Sequence, residues 1–489
     1  MTLKSTIIHR TEAPVKASSA FGWAAIFLVF FLGFAGGIAG QGNLIRLLFP
    51  AFSLVVALYL YLEFSLLYAG FTWWIWCLTP LIRRLCDYYG TPDPNGIILL
   101  TPYLVTFVSV FSLIKYLPKV HRMGGLPFIA AALAVTYAFI IGLIQNPAIG
   151  ATRAFLDWIT PVIFAFYLFS NWSNYPDYRD NIQKTFLWLT LVTGVYGIFQ
   201  YLTAPAWDGF WLEQTQIVTM GEPVPMGLRI WSTLHSPSPF ATMMMAGVLL
   251  LLVTPSKWSI PVAIVGYLAF LLTLVRSAWG GWFVGLLTLV ASLRPSFQIR
   301  LVLTGVLIAL LLVPITSNQA FSDRLNERFD SIVNIQQDHS LGARQSTYDR
   351  DLNIALSQFL GRGMGSTWAV NPMNGQLEKI VLDSGILDSF FTLGWVGTIF
   401  YMGGLVTLLG KSFRDKDRQD QAFTAVSRSI SLGIVAQLGL SSLMIGFSGM
   451  ILWAFVGISM AAQNYHTNAK RSLSRAAYLS EVDIATISR

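Results

Sequence analysis

Apolar runs long enough to cross a bilayer recur along this chain from Phe21 to about Ala462, separated by polar connections. A hydrocarbon core about 30 Å thick takes roughly 20 apolar residues per helical span. Inside it every backbone N–H and C=O needs an internal partner, so only helices and closed barrels cross. Runs of this length select helices. With 54% hydrophobic and 11% charged residues over 489 positions, the balance is not that of a water-soluble chain. The expectation is an all-α polytopic integral membrane protein of about 12–14 transmembrane helices. The first run, 21–40, is too long for a signal-peptide core and reads as a span. Cys77 and Cys86 match no metal or redox spacing.

Lysine and arginine gather in cytoplasmic loops, so their positions orient the runs. Basic residues cluster at Lys4, Arg10 and Lys16, around Lys115 to Arg122, at Arg179, Lys184 and Lys257, at Arg294 and Arg300, between Lys411 and Arg418, and at Lys470, Arg471 and Arg475. All fall on one side if spans lie near 21–40, 47–67, 69–83, 97–115, 126–145, 153–170, 185–204, 240–254, 259–275, 277–293, 300–316, 385–410, 429–446 and 449–463. Fourteen spans put both termini in the cytoplasm, with a tail over 1–20, one membrane domain over 21–464 and a second tail over 465–489. The third run breaks the pattern: it is short and ends in Arg83 and Arg84 on the outer side. A re-entrant segment is the alternative there.

Two outer connections are long, 205–239 and 317–384, and long loops held by spans tend to carry function. In the second, Phe321, Leu325, Phe329, Ile332 and Val333 recur at helical spacing, as do Tyr348, Leu352, Ala355, Leu356 and Phe359. Two amphipathic helices at the membrane surface are expected. Six Lys/Arg face eight Asp/Glu in that loop, so an anion bound there must be held by individual arginines.

Three segments supply such arginines. VRSAWGGW sets Arg276 at a span end, GLRIWSTLHSPSP carries Arg229, and DHSLGARQSTYDR carries Arg344 and Arg350. Arginine at membrane depth is costly and marks a candidate site, and its planar fork matches phosphate or pyrophosphate. Snorkelling to headgroups is the plain alternative for Arg276. Ser277, Ala278, Gly280 and Gly281 read as a close helix-packing face. His235, before Pro237, and His339, before Arg344, are candidates to contact a substrate; local hydrogen bonding in a turn is the alternative for both. GRGMG at 361–365 has the glycines of a nucleotide loop but follows no expected strand, and reads as a helix stop and flexible turn. Arg153 and Asp157, four apart, read as a neutralising pair on one helix face. Glu63 reads either as part of an ion path or as a span-end group reaching interfacial water.

The order of these segments resembles the bacterial O-antigen ligase and O-antigen or exopolysaccharide polymerase superfamily, membrane glycosyltransferases acting on polyprenyl-pyrophosphate-linked sugars. The likeness covers about 229–404. It runs from the Arg229 turn through VRSAWGGW to SLGARQSTYDRDLNIALSQFLGRGMGS, and ends on the span opening VLDSGILDSFFTLGWVGTIFY. Arg350, followed eleven residues later by Gly361, is similar to the Arg-x10-Gly pattern of polymerase loops.

The resemblance implies a GT-C-like fold and transfer without a metal or nucleotide-sugar cofactor, on the outer face of a bacterial inner membrane. Arg229, Arg276 and Arg344, with Arg350, would hold the donor pyrophosphate, and a base would activate the acceptor hydroxyl of a glycan. The ligases carry a loop histidine near the start of the span after the long loop. This chain has Asp383 and Asp388 there instead, so Asp383 becomes the candidate base and the reading leans to a polymerase. Implied partners are the lipid-linked donor, the glycan acceptor, membrane lipids, and chain-length-regulating or export proteins. The net charge of +8 suits anionic headgroups and gives no reason to invoke nucleic acid. The rival class is a transporter of a small anion such as bicarbonate, which arginines also fit. A flippase for the lipid-linked sugar is a third reading. The long outer loop and the lack of visible repeated halves argue against the transporter, and the flippase should place binding groups deep in the inner half of the bundle, which this sequence shows poorly.

Overall fold

The computed structural model describes residues 19–93, 95–215, 220–292, 299, 352–353, 356–370, 377–379, 384–414 and 422–487. Among them nine helices are long and apolar enough to cross a membrane. These are α1 (Ser19–Ile38), α2 (Gly42–Glu63), α3 (Ser65–Tyr89), the broken rod α4 (Ile97–Met123), α5 (Leu126–Gln145), α6 (Ala148–Ser170) and α7 (Tyr175–Thr203). A short α8 (Ala206–Thr215), then α9 (Pro237–Leu251), α10 (Ser259–Leu272) and α11 (Arg276–Ser292), precede the long α12 (Gly385–Phe413). After α13 (Ala422–Val435), α14 (Gly446–Ile487) completes the nine. Among the described residues the only strands are a small antiparallel pair, β1 (Trp368–Val370) with β2 (Leu377–Lys379); the other regular elements are helices. The chain is a polytopic membrane protein.

Large apolar side chains stand exposed on the outside of the bundle, among them Phe21, Phe27 and Phe31 of α1 and Ile399 and Val406 of α12. Such a surface suits lipid rather than water. The interior is aromatic: Trp73 meets Phe164, Phe186 and Phe447 edge-on, and Trp453 donates its indole N–H to the Tyr401 hydroxyl at 2.8 Å.

Contacts between connections define two ends. At one, Tyr167 donates to the Ser65 carbonyl, Asn464 to that of Met123 and Gln463 to that of Lys411. At the other lie the α3 C-terminus, the turn 220–236, the α10–α11 break, residues 356–370 and the α13–α14 connection. We call these the Lys411 end and the Arg276 end.

At the Arg276 end one extended stretch is locked into the bundle. Helix α12 breaks at Gly394 (φ 67°, ψ −174°), and the chain around Gly361 supplies the partners that the break frees. Arg362 N donates to Phe391 O (2.9 Å), Gly363 N to Thr392 O (3.1 Å), and Trp395 N to Phe359 O (3.0 Å). Met364 N then bonds Ala138 O of α5 (2.9 Å). Gly361, Gly363 and Gly365 all have positive φ, and a Cβ on them would strike the backbones of Gly394, Gly142 and Ala151 respectively. GRGMG is therefore a close-packed clasp between α5, α6 and α12, not the flexible turn expected from its glycines. Irregular backbone is tolerated at this depth because protein satisfies it.

Several expectations change. The third run is neither short nor re-entrant: α3 has 25 residues, and the turn from α2 at Phe64 leaves too little chain for a loop. The expected span 429–446 is instead α13 over Ala422–Val435 followed by a non-helical connection, 436–445, where Gly439 and Ser441 interrupt the apolar pattern. The expected tail is helical over 465–487, where it continues α14. The span 300–316 and the amphipathic segment 321–333 lie outside the described residues, as do Tyr348 and Ala355 of the second amphipathic segment. Glu63 is exposed at the C-terminal end of α2, which fits the interfacial alternative and removes it from any buried ion path. For the expected pair Arg153 and Asp157 the structure gives other partners: Tyr103 donates to Asp157, and Arg153 reaches the Asn95 carbonyl and the face of Trp368.

Candidate functional site

The turn 229–236 is extended and tightly held. Arg229 N donates to Met220 O (2.9 Å) and Ile230 N to Leu272 O (3.3 Å), tying the turn to the end of α10. The Arg229 guanidinium follows the same path, donating from Nε to Thr273 O (3.3 Å) and from Nη2 to Leu274 O (3.1 Å). Leu274 has a positive φ of 52°, unusual for a branched residue, and marks the sharp break between α10 and α11. Two residues later Arg276 opens α11, half-buried. Two arginines nearly fifty positions apart in sequence thus meet at one break, as their expected common side required.

Beneath this turn lies a buried polar network. Arg84, on the last turns of α3, donates to Leu234 O (3.0 Å) and Ser232 O (2.5 Å), with its Nε 3.1 Å from Asp208 Oδ1 of α8. Arg84 and Asp208 are both buried. The other Asp208 oxygen accepts from Gln200 Nε2 (2.7 Å) and the Tyr196 hydroxyl (3.0 Å). Gln200 Oε1 accepts the backbone N–H groups of Trp231 and Ser232 at 3.0 and 2.9 Å. Ser232 itself has φ 54°, a strained value for a non-glycine residue, and its hydroxyl donates to Thr193 O (2.5 Å). Burial pushes the Asp208 carboxyl above its usual range, with Arg84, Gln200 and Tyr196 pulling the other way.

On the opposite flank α11 packs on α13. A Cβ at Gly281 would meet the Gly433 carbonyl at 2.5 Å, and one at Gly285 the Ser429 carbonyl at 3.0 Å. Ala278 is buried, while Gly280 is exposed with nothing near it. The expected packing face therefore holds for Ala278 and Gly281 and fails for Gly280, which lies on the other side of the helix. Ser277 Oγ approaches Ser441 Oγ at 3.4 Å, and next in line Ser442 donates to Asp388 Oδ2 at 2.7 Å. Asp388, buried in the first turn of α12, also accepts from Thr392 (3.1 Å). The α13–α14 connection thus lies between Ser277, next to Arg276, and a buried carboxylate.

His235 sits exposed at the rim, between the buried Leu234 and the N-terminus of α9. Arg344, Arg350, His339 and Asp383 lie outside the described residues. Sequence reading missed Arg84, Asp208 and Gln200 as a unit. The available signal was Arg84's place on the side where positive charge is disfavoured. The same logic explains its neighbours: Arg83 pairs with Asp87 (3.2 Å), and Arg46 lies 3.5 Å from Asp87 and 3.9 Å from Asp93. Local acids neutralise these three cations. Among the described residues no cluster of His, Cys, Asp or Glu is placed to hold a metal.

No family model matches the chain, and no curated protein matches it.

Proposed function

We propose that this protein is a membrane glycosyltransferase that polymerises or ligates polyprenyl-pyrophosphate-linked oligosaccharides into a surface polysaccharide. The observation that carries the reading is the meeting of Arg229 and Arg276 at the α10–α11 break, with Arg229 on a turn that leads to the exposed His235. The Lys411 end carries Lys115, Lys119, Arg122, Arg179, Lys184 and Lys257, so the positive-inside rule turns the Arg276 end outward from the cytoplasm of a bacterial inner membrane.

In this scheme the acceptor hydroxyl attacks the anomeric carbon of the donor sugar. The bond from that carbon to the pyrophosphate oxygen breaks, and polyprenyl pyrophosphate leaves with one more negative charge. Arginines aimed at that oxygen stabilise the charge as it forms. The hydroxyl proton passes to a base, for which His235 is the described candidate and Asp383 and His339 are the sequence candidates. Arg344 and Arg350 complete the anion-binding set.

The test is incubation of the reconstituted protein with a polyprenyl-pyrophosphate-linked oligosaccharide, with products separated on a gel. A ladder of repeat-unit multiples supports a polymerase, and a single addition to a supplied lipid glycan supports a ligase. An intact donor with either acceptor contradicts the proposal.

A further inference from the structure

We propose that Arg84, held by Asp208, is a positioning residue: its two carbonyl contacts set the conformation of the turn that presents Arg229 and His235. This inference rests on the proposed glycosyl transfer for its kinetic consequences, though not for its structural ones.

Arg84 comes from α3, far from the turn in sequence, and spends both terminal nitrogens on the carbonyls of Ser232 and Leu234. Those carbonyls flank Thr233 and lead directly into His235. The N–H groups of Trp231 and Ser232 are taken by Gln200, and Gln200 is bonded to the same Asp208 that faces Arg84. Donor and acceptor groups of one strained peptide segment are thus gripped by a single network. The Trp231 ring lies 5.9 Å from the Arg84 guanidinium carbon, closing the third side. A positive φ at Ser232 persists only when its surroundings over-determine it, and here they do. A simple helix-to-helix staple needs one contact between rods. This arrangement spends several on a connection of a few residues that carries both described candidates of one flank.

The test separates positioning from stability. Truncating one partner leaves the other buried with nothing to face, so Arg84→Ala or Asp208→Ala alone reports mainly on folding. The informative protein is the double variant Arg84→Met with Asp208→Leu, in which apolar side chains of similar bulk replace the pair. It is compared with wild type in two readouts. The first is transfer kinetics in proteoliposomes. The second is the electron paramagnetic resonance line width of a nitroxide on His235→Cys, with or without the double change; Cys77 and Cys86 are buried away from the label.

The expected result is a thermal midpoint close to wild type, a kcat lowered about tenfold to a hundredfold with little change in donor KM, and a sharpened, more mobile nitroxide spectrum. Restoring arginine alone, in Arg84 with Asp208→Asn, should recover the immobile spectrum, because the carbonyl contacts return. An unchanged spectrum in the double variant overturns the proposal whatever the enzyme does. If wild type shows no transfer while the label is mobilised, the glycosyltransferase reading fails and the positioning role stands. Full kcat in a folded double variant with a mobile label contradicts the kinetic half.

Discussion

Arg84 Nε lies 3.1 Å from Asp208 Oδ1 with both side chains buried, joining the end of the third helix to a short helix more than a hundred residues away. In a low-dielectric interior two charges are tolerated only when paired and otherwise hydrogen-bonded; here the ion pair is flanked by hydrogen bonds from Arg84 to two carbonyls and to Asp208 from Gln200 and Tyr196.

Breaking the pair on one side should therefore be costly. Arg84→Ala is expected to lose about 3–5 kcal/mol. The apolar double replacement of Arg84 and Asp208 should recover most of it. Thermal unfolding in detergent, followed by tryptophan fluorescence, reads both; an unaltered midpoint in Arg84→Ala would contradict the assignment.

The pH response of the same pair has a definite sign. Burial holds the Asp208 carboxyl above its usual range in the folded protein, whereas it titrates near 3.9 when unfolded. Between those values the folded state binds a proton the unfolded state does not, so Asp208's contribution to stability rises as pH falls through the folded value. Relative to Asp208→Asn, which stays neutral, the wild-type midpoint should gain on acidification from about pH 7 towards about pH 4. A difference that stays flat or runs the other way would refute the sign.

Glycines give an internally controlled comparison. Gly363→Ala forces a Cβ onto the Gly142 backbone at a positive φ, and should cost about 2–4 kcal/mol from strain and overlap together. Gly280→Ala, on an exposed helix face with nothing within 4 Å, should be neutral or stabilise by up to about 1 kcal/mol. Equal midpoints for the two variants would show that the clasp is not packed as described.

The sequence made the membrane class legible because hydrophobic run length responds to one physical quantity, bilayer thickness. It made the common side of Arg229 and Arg276 legible through charge asymmetry. The contacts of Arg84 were hidden because its partners are backbone carbonyls, which no residue pattern encodes, and an aspartate 124 positions away. GRGMG misled for a related reason. Glycine signals either a free turn or a close backbone approach, and only the facing Gly142 and Gly394, themselves distant in sequence, decide between them.

The serine bridge next to Arg276 makes a separate prediction. Ser442→Ala removes the 2.7 Å donor to the buried Asp388 carboxylate and should cost about 1–3 kcal/mol. Asp388→Asn, which keeps hydrogen-bonding capacity, should cost less. Chemical unfolding of the two variants ranks them, and the reverse order would contradict the assignment of Asp388 as an acceptor.

The central claim is that Arg276 stabilises charge on a departing pyrophosphate, and one measurement reaches it most directly. Initial rates of glycosyl transfer by Arg276→Lys are compared with wild type in proteoliposomes, after equal insertion and thermal midpoints are verified. Lysine keeps the charge and loses the bidentate fork, so the account predicts turnover lowered by about 10²–10³. Wild-type turnover in a correctly inserted Arg276→Lys, and again in Arg276→Ala, would contradict it.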